Sequence, residues 1–247
     1  MARAHPELGA ADAVVHLAGA PIAERWTARR KREILESRVL GTRRIVEAIA
    51  NQRPAPRVLV CASAIGFYGD RGSEELTERS GPGTDFLSDV VREWEHEAQA
   101  APVRSVQLRF GIVLSPHGGA LAKMLPAFRL GIGGRLGSGG QWMSWIALHD
   151  LVRVIRFAIT SDALTGSVNA VAPQPVTNAE FTETLGRVVR RPAMIRVPAF
   201  ALRALFGEMA GLTMLASQRV MPRRLEDAGF RFDYPTLEGA FRHELSG

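Results

Sequence analysis

Three apolar runs divide the first half of the chain: "DAVVHLAG" (12–19), "RVLVCASA" (57–64) and "VRSVQLRFGIVL" (103–114). Each is short and mostly apolar and reads as a strand inside a sheet. Parallel neighbours need a long crossover, and the intervening segments supply one each time. "TARRKREILESRVLGTRRIVEAIANQ" (27–52) reads as a long helix, with Ile34, Ile45, Val46 and Ile49 among its apolar positions and Thr27 as its cap. "DFLSDVVREWEHEAQAA" (85–101) is a second helix, ending before Pro102. Alternation of this kind predicts an α/β fold built on a parallel sheet.

Beyond Ser115-Pro116 the pattern changes. A helical segment leads through "GIGGRLGSGG" (131–140), read as a hairpin-like loop, into a strand-like stretch from Trp142 to Ile146 and then another helix. "GSVNAVAP" (166–173) is a short strand. From Thr177 onward the chain is mostly helical, which predicts a smaller C-terminal lobe packed on the sheet.

Composition narrows the partners. Hydrophobic residues make up 46% of the 247, enough for a sizeable core. No run approaches the roughly 20 apolar residues of a membrane span, and no basic-then-apolar leader is visible. The single cysteine, Cys61, sits inside an apolar run and reads as a buried thiol. The expectation is a cytoplasmic protein with no membrane partner. A formal charge of +6 invites a nucleic-acid reading. However, the only lysines are Lys31 and Lys123, and the arginines are scattered. The densest patch, "RWTARRKREILESR" (25–38), is interrupted by Glu33 and Glu36 as on a solvated helix face. No nucleic-acid partner is expected; a small-molecule substrate is.

Familiar motifs are mostly excluded. The 131–140 loop lacks the preceding strand and following helix of a phosphate cradle. No GxxxxGK[ST] or GxSxG occurs. The histidines (His5, His16, His96, His117, His149, His243) are too dispersed for a metal motif, and His149-Asp150 reads as polar residues at a helix start. No metal is expected.

What remains is an ordered set of phrases. "VVHLAG", "RVLGTRRIVEAI", "CASAIGFYGD", "LRFGIVLSP", "WIALHDL" and "VNAVAPQPVTNAEF" resemble an extended short-chain dehydrogenase/reductase. The longer phrases "SAIGFYGDRG", "GGALAKMLPAFRLGIGGRLGSGGQWMSWI" and "QRVMPRRLEDAGFRF" are similar to its atypical NAD-dependent epimerase branch, related to human family 39U. The resemblance implies a Rossmann-like, doubly wound parallel sheet and a mostly helical C-terminal lobe. Residues 1–115 would form the remainder of an NAD(P)-binding domain. Residues 116–247 would form a substrate lobe interleaved with the last sheet elements (about 144–172) and a family-specific region (about 174–247). In this family "VVHLAG" is the fourth strand, so the first strands and their glycine-rich turn are expected ahead of it and are missing from these 247 residues. The strand then lies at a sheet edge. The implied cofactor is NADP or NAD, NADP being favoured, and this chain is expected to bind it poorly without that turn.

The resemblance also shows departures. The superfamily's proton-transferring tyrosine and its lysine align with Phe86 and Val90, the orienting serine or threonine with Ala64, and the asparagine before "xxGT" with Arg38. Phenylalanine and valine transfer no protons. Tyr68 is therefore the candidate proton donor, a packed wall being the other reading, and Ser63 the candidate orienting hydroxyl. Glu95 reads as a solvated helix charge. Arg109 either receives an anionic ligand or forms an ordinary surface ion pair. The cofactor walls would be Leu17, Ala18 and Gly19 after the first strand, Ala62 and Ser63 in the next, and Arg109, Phe110 and Gly111 beyond the third. Two functions follow: an atypical NAD(P)-dependent oxidoreductase or epimerase acting on an unidentified small molecule, or a nucleotide-binding regulatory or scaffold protein, such as a cell-division factor, without turnover.

Overall fold

The computed structural model of the chain describes residues 11–246; His5 lies outside them. The first apolar run forms β1 (Ala13–His16) and the stretch after it α1 (Ala28–Asn51), whose cap Thr27 accepts a hydrogen bond from the Arg30 N–H at 3.2 Å. Then come β2 (Val58–Ala64), α2 (Phe86–Gln99, capped by Asp85) and β3 (Arg104–Phe110). Helices α3 (Gly119–Arg129) and α4 (Leu148–Thr160) precede β4 (Gly166–Ala170). The four strands pair in parallel and in chain order.

Alternation along the strands sorts the core onto two faces. Val58, Val60, Val106, Leu108 and Val168 pack with Val154 and Ala158 of α4. Leu59 and Cys61 pack on the other face with Ile49 of α1 and Trp94 and Ala98 of α2. The connection through α4 therefore runs over the opposite face from the first two, although the strand order keeps advancing the same way. Burial pushes the Cys61 thiol up to about 12, so it stays protonated.

The C-terminal part adds α5 (Asn178–Val189), α6 (Ala199–Phe206), α7 (Arg223–Asp227) and α8 (Leu237–Glu244). Leu225 and Phe230 enter the sheet core, while Phe181, Leu185 and Phe241 surround Trp145 in a second core. Among the described residues no helix is long and apolar enough to cross a membrane.

Two sequence expectations are corrected. The third apolar run is not one strand: it breaks at Gly111, where a Cβ would lie 2.6 Å from the Ser144 carbonyl oxygen. Ile112–Leu114 then leaves the main sheet to pair with Trp145–Ala147. Nor is 131–140 a hairpin. Gly134–Leu136 pairs in parallel with the distant Ile195–Val197, and Trp142–Met143 pairs with Val176–Thr177.

β1 lies at the sheet edge. Its one strand neighbour among the described residues is β2. Val14 turns inward, whereas Val15 is 40% and Leu17 52% exposed.

Candidate functional site

Parallel register sets Ser63 of β2, Arg109 of β3 and Asn169 of β4 in one row across the sheet, near its carboxyl end. Glu95 comes down onto this row from α2. The Arg109 guanidinium donates from Nε and Nη2 to the two Glu95 carboxylate oxygens, at 2.7 Å each. Ser63 Oγ and Ser167 Oγ donate to the same carboxylate at 2.6 and 2.8 Å. Arg109 Nη1 donates to the Tyr68 hydroxyl at 2.9 Å, and that hydroxyl donates to Asn169 Oδ1 at 2.7 Å. Phe67 covers the guanidinium, with Cζ 3.5 Å from the ring centroid.

The row changes how several expected site residues read. Glu95 is not a solvated helix charge: it is 4% exposed and paired with an equally buried Arg109. Arg109 is not a surface residue either: it is buried, and each of its three guanidinium nitrogens already donates within the cluster. Burial works against its charge, but the Glu95 hydrogen bonds and the neighbouring Tyr68 outweigh that and hold its pKa above the ordinary arginine value. Tyr68 is completely buried, with its donor and acceptor capacity both engaged; burial, the largest effect, raises its pKa. Ser63 donates inward to Glu95. The structure thus brings Ser63, Tyr68 and Arg109 together, as a closed hydrogen-bonded cluster rather than an open pocket. Glu95, expected as a solvated charge, joins them, and the partners Ser167 and Asn169 were not expected there.

The other expected walls diverge. Ala62 is buried within β2, and Gly111 lies beside Ser144 and Val171. Phe110 ends β3 opposite Ala64. Ala18 and Gly19, by contrast, open onto a groove of about 570 Å³ along α1, shared with Glu33, Glu36, Ser37, Leu40, Gly41 and Arg44. Leu17 is exposed just ahead of them. Small residues on both sides let a ligand approach the backbone closely. These walls fit one side of a dinucleotide. No glycine-rich strand-to-helix turn for the pyrophosphate occurs among the described residues.

Beside the groove, α1 faces α2. Lys31 Nζ stands 4.7 Å from the Phe86 ring centroid and pairs with Glu208, while Trp26 meets the Phe86 ring edge-on. Two turns along, the Arg38 guanidinium lies 5.2 Å from the Trp94 centroid. Thus the Phe86 and Val90 positions, where tyrosine and lysine stand in the resembling enzymes, are apolar, and the nearby cations come from α1.

Comparison with known proteins gives the family and the fold. Residues 1–170 match the family model described as NAD dependent epimerase/dehydratase family. The chain belongs to that family. Residues 197–244 match a domain of unknown function, DUF1731. Epimerase family protein Mb2239 of Mycobacterium bovis is 45% identical over 92% of this chain and 76% of its own length. The chloroplastic SDR39U1 homolog of Arabidopsis thaliana is also 45% identical, over 93% of this chain and 67% of its own. The crystal structure of human epimerase family protein SDR39U1 (isoform 2) with NADPH superposes with a TM-score of 0.92 at 34% identity, covering 97% of this chain and 83% of that one. The Rossmann-like α/β reading holds, as does the atypical branch.

A second polar group of this family member lies away from the groove. His149, Asp150 and Asp233 come within 4.8 Å of one another, but Arg153 binds both carboxylates, at 2.9 and 3.1 Å. Buried Asp150 also accepts the Asp233 and Tyr234 backbone N–H groups. The group ties α4 to the C-terminal segment.

Proposed function

We propose that this chain is an atypical NAD(P)-dependent oxidoreductase or epimerase that acts on a small molecule without the Ser-Tyr-Lys set. The observation that carries this reading is the groove of Ala18, Gly19, Leu40 and Gly41 at the carboxyl end of β1, where ligands of doubly wound sheets bind. When bound, the nicotinamide ring supplies the hydride acceptor or donor. The chain's own residues bind and orient: Ala18, Gly19 and Gly41 admit the ligand against the backbone, and Arg44 is the cation of a lining that also carries Glu33 and Glu36. NADP is the favoured form. The buried cluster of Ser63, Tyr68, Glu95 and Arg109 shapes the sheet end beneath.

A nucleotide-binding regulatory or scaffold protein without turnover is the second reading. It is favoured by Phe86 and Val90 at the proton-transfer positions and by the closed hydroxyls of Ser63 and Tyr68. Cofactor consumption together with product analysis, across a metabolite panel that includes nucleoside-diphosphate sugars, separates the two, since an epimerase returns its nicotinamide unchanged. A change in cofactor or a new product with at least one substrate supports the first. Binding with neither selects the second.

A further inference from the structure

Among the described residues Arg38, which faces Trp94 across the seam, has no carboxylate partner, unlike Lys31. Its Nη1 donates to the carbonyl oxygens of Ala20 and Ile34, at 3.1 and 3.2 Å. Nε and Nη2 have no partner among the described residues, and no carboxylate pairs with the group. Trp94 covers one side of the plane. Gly19 lies so close that a Cβ there would stand 3.2 Å from Cζ and 3.3 Å from Nη2. The guanidinium is thus fixed in orientation between α2 and the loop after β1, with one edge open.

The chain itself shows what that edge can hold. Arg109 uses the same Nε–Nη2 edge to take both oxygens of the Glu95 carboxylate, and it too lies on an aromatic ring. This edge matches two oxygens of a carboxylate or phosphate at once. Holding the loop carbonyl of Ala20 and the α1 carbonyl of Ile34 needs only Nη1, which leaves the bidentate edge unexplained. Burial, and then the charge of Arg30, hold the Arg38 pKa below its ordinary value, as for a charge lacking its counter-ion. Arg30, by contrast, has Glu24 and Glu33 beside it.

We propose that Arg38 is an oxyanion-binding residue beside the groove, taking a phosphate or carboxylate group of a ligand on its Nε–Nη2 edge next to Gly19, at the carboxyl end of β1. The oxyanion belongs either to the dinucleotide or to the substrate; only the first source rests on the cofactor reading above.

The test titrates the 247-residue chain with NADPH, inorganic pyrophosphate and malonate in separate arms, following the Trp94 indole N–H by NMR. Wild type is expected to respond to at least one probe. Arg38→Gln should bind that probe roughly 10- to 100-fold more weakly, the scale of a lost charge-assisted pair. Arg38→Lys, which keeps the charge and a donor for the loop, should fall between them, and it carries the test if Arg38→Gln does not fold. An Arg38-dependent response to NADPH alone assigns the oxyanion to the dinucleotide. An Arg38-dependent response to pyrophosphate or malonate, with none to NADPH, assigns it to the substrate and counts against the cofactor reading while leaving this one standing. Equal affinity in wild type and the Arg38 variants, or no response to any probe, overturns the proposal.

Discussion

Replacing Tyr68 by phenylalanine removes one hydroxyl and keeps the ring. In the buried row this leaves Asn169 Oδ1 without its donor and Arg109 Nη1 without its acceptor. Stranding buried polar partners costs about 1–3 kcal/mol. Tyr68→Phe is therefore expected to lower the urea midpoint accordingly, with ligand affinity little changed; an unaltered midpoint would contradict the buried role. His16 offers a second check. It is buried beside α1 with its Nε2 unpartnered, and burial lowers its pKa below the ordinary 6.5. Above 6.5 it is neutral whether the chain is folded or not. Below 6.5 the unfolded chain takes up a proton that the folded one resists, so stability falls as pH drops toward the folded value. His16→Gln should show a shallower loss of stability from neutral pH to mild acid than wild type. Identical pH slopes would remove His16 as a cause. The packed-wall reading of Tyr68 holds, but its partners were not legible in advance: Tyr68, Glu95 and Arg109 are dispersed in sequence, and only the strand register joins them.

At the level of elements, close backbone approach decides what sequence pattern leaves open. A Cβ on Gly134 would come within 1.8 Å of the Ile195 carbonyl oxygen, so Gly134→Ala must part the short parallel pair of Gly134–Leu136 and Ile195–Val197. Faster hydrogen exchange is expected at the Gly137 amide, which donates to Val197 O at 2.8 Å at the end of that pair. Unchanged protection there would show that the pair absorbs the methyl group. The strands and helices of the first half were legible because a buried strand and an amphipathic helix differ in period and length. Thr27 also marked the start of α1 correctly. The 131–140 loop was not legible, since the partner of its strand lies about sixty residues further on and glycine spacing carries no information about distant pairing. Glu95 was misread for a related reason. It sits beside Trp94 on a helix that also carries Asp89, Glu93 and Glu97, and nothing local distinguishes the one carboxylate that faces Arg109.

For the molecule as a whole, the account divides the carboxyl end of the sheet into two parts. One is a sealed ionic row that holds β2, β3, β4 and α2 together. The other is an open groove between the loop after β1 and α1, lined by the small residues Ala18, Gly19 and Gly41, with Arg38 beside Gly19. Membership of the NAD-dependent epimerase/dehydratase family places a nicotinamide dinucleotide first among the candidates for that groove. Affinity is expected to be weaker than micromolar, because no glycine-rich turn among the described residues receives the pyrophosphate. The most direct measurement is an amide-resolved NMR titration of the 247-residue chain with NADPH. The account predicts progressive shifts at Ala18, Gly19, Leu40 and Gly41, with Ser63, Tyr68 and Arg109 little affected. Shifts centred on Ser63, Tyr68 and Arg109, with the groove silent, would contradict it.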